Sequence, residues 1–211
     1  MKKFLLFFFL IVIPLSAQDF SSELIRVKDV IPDIALDIKY ATTENFTDQK
    51  LYTTNECYLL PEAVHRLKVV SDSLKNIKFY DGKNYSAGIG LKIFDGYRPR
   101  AVQYLMWEIY PDPTFVADPV NGSKHNRGGA VDLTLIDLST GEELKMPTEF
   151  DDFSEAASHN FDRLPPDIIA NRKLLKDMMT KVGGFNLYIA EWWHYEIPGA
   201  NNYPLLDFQM K

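Results

Sequence analysis

Two short stretches of this chain, Ser123 to Asp132 and Glu191 to His194, restrict its fold more than any other feature. The first reads Ser123-Lys124-His125-Asn126-Arg127-Gly128-Gly129-Ala130-Val131-Asp132, and the second Glu191-Trp192-Trp193-His194. They contain two of the four histidines, His125 and His194, with the carboxylate Asp132 and a further one, Glu191, just ahead of His194. Two imidazoles and a carboxylate make a tripod for one divalent cation, and an unligated Glu nearby can take a proton from water. This is the donor set of a catalytic zinc site, which keeps its fourth position open. A fold that uses these residues together must bring two remote parts of the chain to one point. A closed structural site is a poor alternative, because such shells favour several cysteines and Cys57 is the only one present. That thiol has no internal disulfide partner and is expected to behave as a small buried hydrophobe.

Hydrophobic periodicity supplies the framework around the two stretches. Ile34, Leu36, Ile38 and Tyr40 alternate with Ala35, Asp37 and Lys39, the period of a half-buried strand. A polar loop is expected from Ala41 to Asn55. Pro61 opens a helix in which Ala63, Leu67, Val70, Leu74 and Ile77 form one apolar stripe, with the proline at a tolerated first-turn position. Leu91 to Phe94 reads as a strand ended by the turn signal Asp95-Gly96. The spacing predicts a helix over Ala101 to Tyr110, with Val102, Leu105, Met106 and Ile109 inward and Pro111 and Pro113 stopping it. From Ala130 to Ile136, Val131, Leu133 and Leu135 face one way and Asp132 and Thr134 the other, the first of these faces being the buried one. A third helix is expected over Asp167 to Val182, ended by Gly183-Gly184, followed by a closing strand around Trp193 to Ile197. This order implies a single α+β domain, its helices packed around a mostly antiparallel sheet with a central zinc cleft. On a regular strand Glu191 and His194 would point to opposite faces, so a bulge or a strand entry at Glu191 is expected.

With 211 residues the chain has the length of one domain with a sizeable core. Its net charge of −6 argues against binding to a nucleic-acid backbone, which needs basic stripes, and makes an anionic membrane surface a poor partner. Residues 1–17 have the pattern of a signal peptide: Lys2 and Lys3, an apolar run from Phe4 to Pro14, then Leu15-Ser16-Ala17. The domain is expected over residues 18–211. The apolar run is shorter than the about 20 residues a spanning helix needs, and no cysteine follows it closely to carry a lipid. The expectation is an exported protein, periplasmic or secreted, with no stable membrane anchor after the leader is removed.

The pattern Ser-x-His-x-x-Gly-x-Ala-x-Asp, the Glu-Trp-Trp-His box and the turn Asp95-Gly96-Tyr97-Arg98-Pro99 together resemble the D-alanyl-D-alanine dipeptidases. These are zinc peptidases related to certain D,D-carboxypeptidases, and they include the vancomycin-resistance dipeptidase. The resemblance extends to Tyr40-Ala41-Thr42-x-x-Asn45-Phe46 and to Met146 through Asp151. It implies one zinc ion held by His125, Asp132 and His194, with Glu191 as general base. It further implies that Arg98 stabilises the anionic intermediate, that Asp151 meets the free ammonium of the substrate, and that Ser123 lies on the substrate side. Pro147 departs from the family's habit of Gly after Met and is expected to reshape the loop leading to Asp151.

The implied reaction is hydrolysis of D-Ala-D-Ala or a similar small D-amino-acid dipeptide. Protection against vancomycin requires that reaction in the cytoplasm, so an exported enzyme is expected to serve wall-peptide turnover or scavenging. Two alternatives remain open on sequence. One is a D,D-carboxypeptidase or endopeptidase acting on peptidoglycan stem peptides with the same zinc chemistry. The other is a noncatalytic wall-peptide binding module, against which the intact Glu191 argues. Of the other histidines, His65 lies off the apolar stripe of its helix and is expected at the surface. His159 follows an acidic stretch and could approach the site, although no fourth ligand is needed.

Overall fold

The computed structural model describes residues 24–210, so the expected leader over residues 1–17 lies outside the described residues. In chain order the elements are β1 (Ile25–Arg26), α1 (Val27–Val30), β2 (Ala35–Leu36), β3 (Tyr58–Leu59), α2 (Pro61–Lys75), β4 (Phe79–Tyr80) and β5 (Lys83–Asn84). They continue with β6 (Ile89–Asp95), α3 (Arg100–Ile109), β7 (Ala130–Asp137), α4 (Pro166–Asp177), β8 (Asn186–Leu187) and β9 (His194–Glu196). The main sheet has five strands in the order β2-β6-β7-β9-β8. Its β2–β6 pair is parallel and the other three pairs are antiparallel. Helix α2 packs against β6 and α4 against β7. This is the expected α+β domain.

Strand β7 lies at the centre of the sheet, and Ala130 through Ile136 are all buried. The sequence assigned burial to one face only. Instead the face carrying Asp132 and Thr134 is covered as fully as the apolar face of Val131, Leu133 and Leu135. The register sets Asp132 opposite His194 and Val131 opposite Tyr195. Directly opposed residues share a face, so Asp132 and His194 project to one side of the sheet and Val131 and Tyr195 to the other. Trp192 and Trp193 are buried at the entry to β9. Truncating either to Ala should cost about 3–5 kcal/mol, the usual range for a core aromatic.

Three expected elements are altered in ways that matter for the site. Of the stretch Ile34 to Tyr40, only Ala35–Leu36 joins the sheet, because β2 is an edge strand with a single neighbour. Beyond it the chain coils into a short 3-10 turn, Lys39–Ala41, yet Ile34, Ile38 and Tyr40 remain buried. Helix α3 is rotated from its expected orientation: Val102, Gln103 and Met106 face inward, whereas Leu105 and Ile109 are exposed. The cause is polar, since Gln103 is drawn into a buried hydrogen-bond network described below. The last turn of the expected third helix widens into a π-turn, Met178–Val182, and Gly183 donates to the Met178 carbonyl.

Candidate metal centre and active-site cleft

His125 opens a 3-10 turn, His125–Arg127, whose end at Gly128 has φ +68°. That left-handed conformation suits glycine and returns the Gly128 N–H to the His125 carbonyl. The His125 Nδ1 lies 2.7 Å from the Gly96 carbonyl oxygen. A carbonyl can only accept, so Nδ1 carries the proton and Nε2 is left as the free donor of an electron pair. Gly96 can hold this position only without a side chain, because a Cβ there would lie 2.5 Å from the Cys57 sulfur.

The free His125 Nε2 lies 3.1 Å from His194 Nδ1 and 3.3 Å from Asp132 Oδ2, and His194 Nδ1 lies 2.9 Å from Asp132 Oδ1. Ligands bound to one zinc at about 2.0–2.1 Å in a tetrahedron stand about 3.3 Å from each other, so this triangle is close to the required size. Two ring nitrogens facing each other beside a carboxylate also call for positive charge between them. His125, Asp132 and His194 are all buried, and they are the metal-compatible cluster found among the described residues. Burial opposes ionisation of Asp132, but the His125 and His194 imidazoles overcome it and hold the carboxyl far below the usual range. Burial likewise disfavours charge on His194, yet its hydrogen bond to Asp132 and the Glu196 carboxylate 3.9 Å from its Nε2 hold its imidazole up to about 10. The pocket therefore favours a cation, and a metal would take the place of a proton.

Glu191 sits in the turn between β8 and β9, with its N–H on the Tyr188 carbonyl and its own carbonyl accepting the His194 N–H. The strand begins only at His194, which resolves the spacing conflict: Glu191 is not bound by strand alternation and reaches the same cleft. Its Oε2 lies 3.8 Å from His194 Nδ1, near the three donors but outside their cluster. Burial pushes its carboxyl up to about 8, against the opposing pull of His194 and Arg98.

Arg98 is held by a network that the sequence did not reveal. Its Nε and Nη2 donate to Asp95 Oδ2 at 3.0 and 2.7 Å, and its Nη1 donates to Gln103 Oε1 at 2.9 Å. Asp95 also accepts the Tyr52 hydroxyl at 2.7 Å, while Gln103 donates onward to the Ala117 carbonyl at 2.8 Å. Three of the five guanidinium N–H groups are thus engaged and the others are left for the cleft. The guanidinium also stacks 5.2 Å from the Tyr40 ring centre.

Tyr40, Arg98, Ser123, Asp151 and Glu191 line one cavity of about 150 Å³ with the three candidate ligands. Asp151 has φ +60°, strained for a residue with a side chain, and its carboxylate accepts the Tyr40 hydroxyl at 3.0 and 3.3 Å. Burial, with the Asp132 charge nearby, raises its carboxyl well above the usual range. The reshaping expected from Pro147 does not keep Asp151 out of the cleft. The Ser123 hydroxyl accepts the His125 N–H at 3.2 Å and keeps its own proton to donate. Phe46, Phe153 and Phe115 come from separate loops and pack in a row, with ring centres 5.1 and 5.0 Å apart, along the cleft. Trp193 lines the cleft, whereas Trp192 turns its Nε1 to Thr148. His65 is exposed, as expected. His159 does not join the cluster; it packs against Tyr195 at 6.0 Å.

All seven site residues expected from the sequence therefore meet in one cleft. Tyr40, Tyr52, Asp95, Gln103 and Glu196 are polar members of this cleft and its support that sequence reasoning missed. The only available signal was that Asp95 and Tyr40 fall inside motifs already singled out.

The family model described as D-ala-D-ala dipeptidase, of peptidase family M15, matches residues 20–211. The chain is 37% identical over 189 residues to a D-alanyl-D-alanine dipeptidase of Escherichia coli (strain K12), covering 90% of this chain and 92% of that protein. It is 30% identical over 209 residues to one from Enterococcus faecium, covering 87% and 96% respectively. A D-alanyl-D-alanine dipeptidase of Streptomyces coelicolor is 32% identical over 197 residues, covering 81% of this chain and 89% of its own. With matches of this extent laid over a buried His-Asp-His cluster, the chain belongs to the M15 peptidase family of D-Ala-D-Ala dipeptidases.

Proposed function

We propose that this protein is an exported zinc dipeptidase that hydrolyses D-Ala-D-Ala and similar small D-amino-acid dipeptides, in wall-peptide turnover or scavenging. The observation that carries this reading is the triangle of His125, Asp132 and His194 donors with Glu191 beside it, inside a cavity of about 150 Å³. Pockets for drug-sized ligands run from about 300 Å³ upward, so the space favours a dipeptide over a peptidoglycan stem.

His125 Nε2, His194 Nδ1 and an Asp132 oxygen would hold the zinc. When bound, zinc supplies Lewis acidity toward the peptide carbonyl and makes a water acidic enough to react near neutral pH. Glu191, beside the three donors and raised by burial from the ordinary carboxyl range, accepts the proton of the attacking water and returns it to the departing amine. Arg98, fixed by Asp95 and Gln103, directs its remaining N–H groups at negative charge developing on the carbonyl oxygen. Asp151 binds the free ammonium, which selects dipeptides because an unpaired buried carboxylate is costly. Ser123 donates a hydrogen bond on the substrate side.

Purified, zinc-loaded protein should release D-alanine from D-Ala-D-Ala, lose that activity to a chelator and regain it with zinc. Faster turnover of a stem pentapeptide would assign the protein to the D,D-carboxypeptidases instead. Binding without release would make it a wall-peptide binding module. Export rests on the basic, apolar and small-residue pattern of residues 1–17. Mature protein beginning at Gln18 in the extracytoplasmic fraction is the expected result, and intact protein retained in the cytoplasm would contradict it.

A further inference from the structure

A second cavity, of about 490 Å³, opens between the end of α4, the π-turn, β8 and His159. It is lined on its inner side by His159, whose ring meets Tyr195 edge-on; Tyr195 belongs to the sheet face turned away from Asp132 and His194. His159 is 94% buried, and neither of its ring nitrogens has a hydrogen-bond partner; the buried Tyr195 hydroxyl also lacks one. Buried polar groups without partners are exceptional and usually mark a missing ligand or water.

The charges around this cavity point to which. Arg172 and Lys176 stand one helical turn apart on α4 and both line it. Arg172 donates one bond to the Ser158 carbonyl at 2.8 Å, and neither cation forms an ion pair among the described residues. The one carboxylate in the lining, Asp177, is already taken by Lys173 at 2.5 Å and Lys181 at 3.0 Å. A water could satisfy His159, but the lining carries four cations, Arg172, Lys173, Lys176 and Lys181, against the single carboxylate of Asp177. Burial, reinforced by Lys176 and Arg172, pushes the His159 imidazole down to about 4. At neutral pH the ring is therefore uncharged and offers one N–H.

We propose that this cavity binds a small phosphate-bearing anion, held by the Arg172 guanidinium, the Lys176 ammonium and the His159 N–H. A guanidinium fork with an ammonium beside it is a donor set suited to phosphate oxygens. The volume exceeds that of the catalytic cavity, leaving room for a substituent on the phosphate. The site is independent of the metal centre and does not rest on the dipeptidase reading.

The test is a titration of zinc-loaded protein with inorganic phosphate, and separately with glycerol 3-phosphate, at ionic strength held constant with chloride. The ring ¹⁵N resonances of His159 are followed by NMR. Saturable shifts at His159 are expected, and Lys176→Gln, a change at a partly exposed helix position, should weaken the affinity at least about tenfold while dipeptide hydrolysis stays unchanged. Saturation by phosphate alone would identify a site for the free ion, and saturation by both would extend it to phosphomonoesters. Shifts confined to His125 and His194, no saturable shift at His159, or unchanged affinity in Lys176→Gln would overturn the proposal.

Discussion

Replacing Arg98 separates its electrostatic role in catalysis from its role as a brace. Asp95 is fully buried and accepts four hydrogen bonds: from the Tyr52 hydroxyl, the Gly96 N–H and two guanidinium N–H groups of Arg98. Arg98→Ala leaves that carboxylate with two neutral donors. Removing one partner of a buried ion pair costs about 3–5 kcal/mol, a large part of the about 5–15 kcal/mol that holds a typical domain folded. Lost activity in this variant would therefore be ambiguous. Arg98→Lys restores the charge, but a point cation cannot make both bonds to Asp95 and the one to Gln103. Stability should recover in part, while kcat for D-Ala-D-Ala stays about 10²–10³-fold down, the usual loss for an oxyanion donor. Denaturant unfolding at saturating zinc, paired with kcat corrected for the folded fraction, measures both quantities. If Arg98→Lys regains stability and turns over within about tenfold of the parent, Arg98 is a structural brace and the catalytic assignment is wrong.

Other perturbations act on separate parts of the account. Glu191→Gln should keep one zinc per chain while losing about 10²–10⁴-fold in turnover; metal analysis showing zinc loss would make Glu191 a ligand. Asp151→Asn should raise KM for D-Ala-D-Ala more than it lowers kcat, and leave an N-acetylated dipeptide equally poor for both proteins. Because burial raises the Asp151 carboxyl and a bound ammonium lowers it again, dipeptide binding should release a proton. Calorimetry in buffers of different ionisation enthalpy reads that release, and buffer-independent heats would count against it. His159 has a folded pKa of about 4 against an ordinary value of 6.5, so the unfolded chain binds more protons between those limits. The stability this group allows is complete above 6.5 and falls by at most roughly 3 kcal/mol as pH drops toward 4. His159→Asn should flatten that decline, and an unchanged pH profile of unfolding would refute it.

The chemistry of the site was legible because it depends on residue types at fixed local spacings. His125 and Asp132 fall on a glycine turn and the strand it feeds, and both the turn and the strand alternation could be read directly. The conflict between Glu191 and His194 pointed to a bulge or a strand entry at Glu191; Glu191 lies instead in the turn before the strand, which begins at His194. What escaped was set by long-range partners. Apolar periodicity placed Leu105 and Ile109 inward on α3, but the bonds from Gln103 to Arg98 and Ala117 turn the helix toward its polar side. Asp95 read as a turn residue, although its burial follows from Arg98 and Tyr52, the latter remote in sequence. Tyr40 kept the alternation of a strand while lying in a coil, because one edge pairing with β6 leaves the chain free to bend toward Asp151. The basic cavity beside His159 joins α4, β8 and a connecting segment, so no local pattern announces it.

Anomalous diffraction at the zinc edge, on crystals grown with the metal, tests the central claim most directly. One strong peak is expected about 2.0–2.2 Å from His125 Nε2, His194 Nδ1 and an Asp132 oxygen, with Glu191 outside the coordination shell. A peak elsewhere, or one bonded to Glu191 in place of any of the three, would contradict that claim.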